Sequence, residues 1–233
     1  AAAKLGADGW SLKEAVLHSL RIYEKTKEVR VTSKAGTDFT YSCGEFPVMS
    51  QYGMADEPGR FDHWGVGLVH TFPNEGSARG RVVIQPGDII ILPYCRYVQD
   101  TIEVQIENGF VVGIEGGVDA KLMRYWFNDG KDKSDRHDMA AISHLGWGLN
   151  PQCRWDSLAL YSDAPERNRA ASRCFPGNFL FSTGPNNLGG GSNATQGHYD
   201  VPMRECSVFL DGKEIIHEGE LIDPKMIVPR VRR

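Results

Sequence analysis

The sequence predicts an α+β fold, rich in strands and poor in helices. Three observations carry this reading. Only the opening stretch, WSLKEAVLHSLRIYEKTKE, shows strong helical periodicity, with Leu12, Ala15, Val16 and Leu20 on one face. Two dipeptides, Asn108-Gly109 and Asp211-Gly212, sit between alternating apolar runs, the strongest short-range signal for a β-hairpin. Most remaining apolar segments are short and separated by glycine, proline or charge, as strands joined by turns are.

Taken in order, the first helix opens on Ser11 followed by Glu14, a capping-box pattern. VRVTSKAGTDFTYS alternates and turns at Ala35-Gly36, which predicts a hairpin. From Gly44 to Asn74 the chain is rich in Gly, Pro and charge, yet aromatic, which points to a functional loop rather than disorder. RVVIQPGDIIILP reads as two short strands around Pro86-Gly87, and TIEVQIENGFVVGIEG as a hairpin. DAKLMRYWF reads as a helix, with KDKSDRHDM as its charged continuation or a loop. ISHLGWGLN, NFLFSTG and GHYDVPM are short strands, and CSVFLDGKEIIHEG is a closing hairpin.

Composition narrows the function. A chain of 233 residues, 41% hydrophobic, buries a substantial core. Its net charge of -4 and lack of a basic cluster beyond the terminal PRVRR argue against a nucleic-acid partner. No apolar run is long enough to span a membrane, so no membrane partner is expected. The five cysteines are scattered and form no Cys-x-x-Cys pair, which points to a reducing cytoplasm.

Seven histidines are candidates for chemistry. His18, His137 and His217 read as surface or satisfied residues, and His70, within a strand, as packing. His198 and Asp200 are two apart on a predicted strand, so both point to one face while Tyr199 and Val201 point to the other. His144 is delivered by an apolar approach into a glycine-rich segment, where Gly146 and Gly148 leave room for close approach. Two histidines and one carboxylate match the facial set of non-haem Fe(II) oxygenases, which leaves three positions open. Zinc hydrolases use the same donors, so the ligands alone do not fix the metal.

Together ADEPGRFDHW, FPNEG, ISHLGWGLNP, GNFLFSTGPN and GHYDVPMR resemble the 2,5-dihydroxypyridine 5,6-dioxygenase family, whose broader superfamily includes the aminopeptidase T group. The resemblance runs from about the first helix to near the C-terminus. It implies an Fe(II) cofactor and ring cleavage of a hydroxylated pyridine by dioxygen, with 2,5-dihydroxypyridine giving N-formylmaleamate. It places the iron ligands on His144, His198 and Asp200, a second histidine on His63 as the group that exchanges protons, and a serine near the substrate on Ser182. Trp64, Phe72 and Trp147 are candidate apolar walls. A small aromatic substrate and dioxygen are the implied partners, with a homo-oligomeric assembly.

The family's N-terminal α/β region has no counterpart here. The chain is therefore read as the C-terminal part of a longer two-domain protein, with 1–30 a helical lead-in and 31–233 a β-rich catalytic domain. The resemblance departs at Gln51, where the family carries a glutamate. An amide hydrogen-bonds substrate but takes no proton at neutral pH, so that work would pass to His63 or the substrate would differ. Two other readings compete. A two-metal peptidase would use Glu75 and a second glutamate before His144, yet AKLMRYWFNDGKDKSDRHDMAA contains none. A binding module would use the aromatic loop and NNLGGGS without chemistry.

Overall fold

A computed structural model describes residues 8–63, 66–160 and 169–230. Helix α1 (Gly9–Tyr23) leads into strands β1 (Glu28–Ser33) and β2 (Asp38–Ser42). The glycine-rich stretch contains β3 (Met49–Gln51) and β4 (Leu68–Thr71). Then come β5 (Arg79–Ile84), β6 (Ile89–Ile90), β7 (Arg96–Tyr97), β8 (Ile102–Glu107) and β9 (Phe110–Gly116). Helices α2 (Val118–Asn128) and α3 (Lys133–Ala140) precede β10 (Leu145–Gly148), and the short helices α4 (Ser157–Leu160) and α5 (Arg169–Arg173) follow it. Strands β11 (Phe179–Thr183), β12 (Tyr199–Met203), β13 (Cys206–Leu210), β14 (Lys213–His217) and β15 (Glu220–Leu221) complete the described order. The α+β, strand-rich expectation holds.

The larger sheet has eight strands in the order β15-β14-β13-β1-β2-β5-β8-β9, and the second has five in the order β12-β11-β10-β4-β3. Both predicted Gly turns close tight hairpins. Asn108 and Gly109 have φ of 50° and 82°, and Asp211 and Gly212 have 47° and 80°. Positive φ at both central residues defines the turn whose twist matches paired strands, and it is why Gly follows Asn or Asp. Strand β8 alternates buried and exposed residues along its whole length, so one face of the large sheet enters the core.

The two sheets pack face to face through one continuous apolar cluster. Phe39 of the large sheet meets Phe179 and Phe181 of the small one at ring-centroid separations of 6.5 and 6.1 Å. Helix α1 contributes Leu12, Ala15, Val16 and Tyr23 to the same cluster. Its cap is Asp8, whose carboxylate accepts from the Trp10 and Ser11 amides, so the expected Ser11–Glu14 capping box does not form. A carboxylate that reaches two orphan amides displaces the weaker hydroxyl, and Ser11 Oγ itself donates to Asp8 at 2.6 Å. The Tyr23 hydroxyl donates to Leu145 O at 3.2 Å, tying the start of β10 to the helix beneath it.

Candidate metal centre

Strand alternation sorts the small sheet into two faces. Val69, Leu145, Trp147, Phe179, Phe181, Tyr199 and Val201 face the core. Asp200 pairs with Ser182, and Gly146 pairs with both Leu180 and His70, so these residues occupy the opposite face. His144, two residues before Gly146, points the same way. A second apolar cluster that includes Leu68, Ile89, Ile91, Leu158, Phe175 and Leu180 lies on this side. The backbone of Asp200 is fixed by neighbours on both sides: Ile91 N donates to its carbonyl at 2.8 Å, and its own N–H donates to Leu92 O at 3.2 Å.

On this face the structure brings His144, His198 and Asp200 together, their ligand atoms all within 4.8 Å of one another. Asp200 Oδ1 lies 3.0 Å from His198 Nε2 and 3.3 Å from His144 Nε2. Ligands held about 2.1 Å from one ion are about 3.0 Å apart at a right angle and about 3.4 Å apart in a tetrahedron. The observed spacings suit an ion of either geometry.

The protonation of the site favours a cation. Ser182 Oγ donates to His144 O at 2.6 Å, so it accepts from His144 Nδ1, 3.0 Å away. The Nδ1 proton is thereby fixed and Nε2 is left with its lone pair, the form that ligates metals. Burial holds His144 well below the ordinary histidine range, against the pull of Asp200. Burial would raise the fully buried Asp200, but Arg173 above all, then His144 and His198, hold it below the usual carboxylate range. An ionised carboxylate oxygen therefore faces an imidazole lone pair across 3.3 Å. Two such acceptors repel unless a cation lies between them. The donor set of two nitrogens and one oxygen fits Fe(II) or Zn(II).

The other expected residues fall into place unevenly. Gln51 Nε2 lies 3.0 Å from His63 Nδ1, so these two bond each other, and His63 is exposed. Neither makes a described hydrogen bond to the three clustered groups. Ser182 is fully buried and its hydroxyl is engaged by His144. Trp64 lies outside the described residues. Phe72 stands edge-on to His144 at 6.2 Å, whereas Trp147 packs on Tyr23 at 4.7 Å on the far side of the sheet and is core. Tyr199 also faces the core, against Trp126 at 5.2 Å.

Two residues were not anticipated. His70, read as packing, has its ring edge-on to His144 at 5.1 Å. Burial pushes it down to about 4, aided by Arg173, and its Nδ1 is buried without a partner. The second is Arg173, at the end of α5, which donates from Nη2 to Asp200 Oδ2. Only long-range pairing reveals it. Glu75 accepts from Asn186 Nδ2 at 3.0 Å and from the Ser192 amide and hydroxyl at 2.8 and 2.9 Å. It ties the glycine-rich turn and, among the described residues, joins no group of metal-ligating side chains.

Comparison with known proteins bears on this geometry. The family model for 2,5-dihydroxypyridine 5,6-dioxygenase matches residues 6–223. A 2,5-dihydroxypyridine 5,6-dioxygenase of Pseudomonas putida KT2440 is 41% identical over 216 residues, covering 91% of this chain and 59% of the relative. The solved structure of 2,5-dihydroxypyridine dioxygenase from the same strain superposes with a TM-score of 0.87 at 40% identity, covering 97% of this chain and 62% of that one. Wild-type AmpT from Thermus thermophilus shares the fold, with a TM-score of 0.65 at 16% identity over 92% of this chain and 55% of its own. The chain thus spans about three fifths of the length of the dioxygenase relatives it matches.

Proposed function

This chain belongs to the 2,5-dihydroxypyridine 5,6-dioxygenase family, and from that membership we propose that it serves oxidative ring opening of a hydroxylated pyridine, with Fe(II) as cofactor. The observation that carries the metal-dependent reading is the facing pair of His144 Nε2 and Asp200 Oδ1, with the histidine tautomer set by Ser182.

In this reading His144, His198 and Asp200 would hold the ion. Fe(II) held there supplies a point at which an electron-rich ring and dioxygen exchange electrons. The charges of Asp200 and Arg173 cancel and burial keeps His144 neutral. A divalent ion held by these residues would keep its attraction for an oxyanion, which would favour a ring hydroxyl in its deprotonated form. Phe72 supplies an apolar wall and His70 a neutral imidazole beside it. We assign to His63 the exchange of the hydroxyl proton: Gln51 Nε2 donates to its Nδ1 and leaves the ring proton on Nε2, so Nδ1 takes the hydroxyl proton once Gln51 gives up that bond. Trp64, next in the chain, is assigned to the substrate wall by sequence alone.

For 2,5-dihydroxypyridine both atoms of dioxygen enter the product and the bond between ring carbons 5 and 6 opens, giving N-formylmaleamate. We place the reaction in the cytoplasm, which the cysteine pattern suits, and expect a homo-oligomer, to be checked by light scattering. Among the described residues no helix is long and apolar enough to cross a membrane.

The test is anaerobic reconstitution with Fe(II), then addition of air and 2,5-dihydroxypyridine. About one iron per chain and oxygen uptake on adding the ring are expected, with iron lost in His198→Ala. Two zinc ions with peptide hydrolysis, or full iron retention by His198→Ala, refute the reading.

A further inference from the structure

The two oxygens of Asp200 face different partners. Oδ1 is turned to His144 and His198, and Oδ2 is taken by Arg173. Resting on the proposed metal site, we propose that Arg173 is a positioning residue: by occupying Oδ2 it confines Asp200 to ligation through one oxygen.

The physical case has three parts. Asp200 is fully buried, so its charge requires a partner that stays charged, and a guanidinium does not deprotonate in proteins. A carboxylate with both oxygens free can bind a metal through one or both. Using both would consume one of the positions that a three-ligand face leaves for substrate and dioxygen. Finally, Arg173 is itself anchored. It closes α5, whose Ala171 is buried in the second cluster together with the adjoining Cys174, and its carbonyl accepts from Asn178 Nδ2 at 3.0 Å. The Arg173 side chain therefore reaches Asp200 from a fixed base, and it is a quarter exposed.

The role differs from simple charge balance. Were Arg173 there only to neutralise a buried carboxylate, its loss would lower stability and leave the coordination of a bound ion unchanged. A positioning role predicts changes in ion affinity and in the spectrum of the ion itself.

The experiment uses anaerobic titration with Co(II), whose visible absorption reports coordination number. Arg173→Met is expected to weaken Co(II) binding by 10- to 100-fold, the range for partners of metal ligands, and to alter the absorption bands. Arg173→Lys, which keeps the charge on Oδ2, is expected to recover affinity to within about fivefold of the parent. If Arg173→Met does not fold, Arg173→Leu, which likewise offers no donor to Oδ2, takes its place with the same expectation. Parent-like affinity and spectrum in the Met or Leu variant overturn the proposal, as does equal impairment in Lys and Met. His198→Ala separates the two levels of inference. If it still binds Co(II) the metal site itself is misassigned, whereas if only the Arg173 variants match the parent the site stands and the positioning role falls.

Discussion

Replacing Ser182 by alanine isolates the contact that would prepare His144 as a ligand in the proposed site. The hydroxyl is fully buried and serves two partners at once, donating to His144 O at 2.6 Å and accepting from His144 Nδ1 at 3.0 Å. Its removal leaves a buried N–H and a buried carbonyl short of a partner. Each unsatisfied group costs about 1–3 kcal/mol, so the metal-free chain should lose about 2–6 kcal/mol while both stay unpaired, read from urea unfolding at neutral pH. A second effect follows from the tautomer. Without Oγ the proton is free to move to Nε2, where Asp200 Oδ1 at 3.3 Å accepts it in a charge-assisted bond. That tautomer has no lone pair to offer an ion. Metal binding must then reverse the shift, and a 10- to 100-fold weaker affinity is expected. Titration of the reduced, metal-free variant with Fe(II) or Co(II) measures it. Affinity within twofold of the parent, alongside the expected loss of stability, would show that Ser182 supports the fold without setting the tautomer.

Three other perturbations test the surroundings. Gly146→Ala would place a Cβ 1.9 Å from Val69 O and 2.7 Å from His70 Cα, backbone atoms that cannot swing aside. The β4–β10 pairing should open, with a loss of about 3 kcal/mol or more in thermal or urea unfolding, and an unchanged midpoint would contradict the described register. His70, at about 4 in the folded chain against 6.5 in the open one, binds fewer protons folded than unfolded, so its contribution is complete above pH 6.5 and declines as the pH falls toward 4. Between pH 7.5 and pH 5 that amounts to about 2 kcal/mol, and His70→Asn should remove this slope from paired urea melts. Glu75→Ala should cost about 1 kcal/mol through the bonds to Asn186 and Ser192 while metal content stays at one ion per chain by elemental analysis. Loss of a second ion would instead favour a two-metal centre.

How much of this was legible in the sequence depended on how local the determinants were. The hairpins at Asn108-Gly109 and Asp211-Gly212 were readable because a turn needing positive φ twice is written in two adjacent residues. The shared face of His198 and Asp200 was readable from strand period alone. Helix α3 stayed ambiguous in sequence because its residues are mostly charged, and only Met139 of that helix is buried. Strand β4 was legible as a strand around His70, but its functional face was not. All four of its residues are buried, so no alternation marks it, and His70 passed as packing. Arg173 carries no pattern of its own, since its meaning lies in a contact with a residue 27 positions away.

The arrangement of the small sheet shows why those scattered residues make one site. Asp200 and Ser182 are direct cross-strand partners, and Ser182 in turn bonds His144, the residue that leads into the next strand. Carboxylate, hydroxyl and imidazole thus form a single row across three neighbouring strands, spaced by the strand separation of about 4.8 Å. Phe72 and His70, at the end of β4, border that row at the fourth strand. Each position is set by ladder hydrogen bonds, with the opposite face locked into the core by Trp147, Phe181 and Tyr199. A one-residue slip of any strand would turn its functional side chain into that core and bring an aromatic or aliphatic one out. The cost of burying Asp200 or His144 there, without partners, is what makes the register, and therefore the site, so strongly specified.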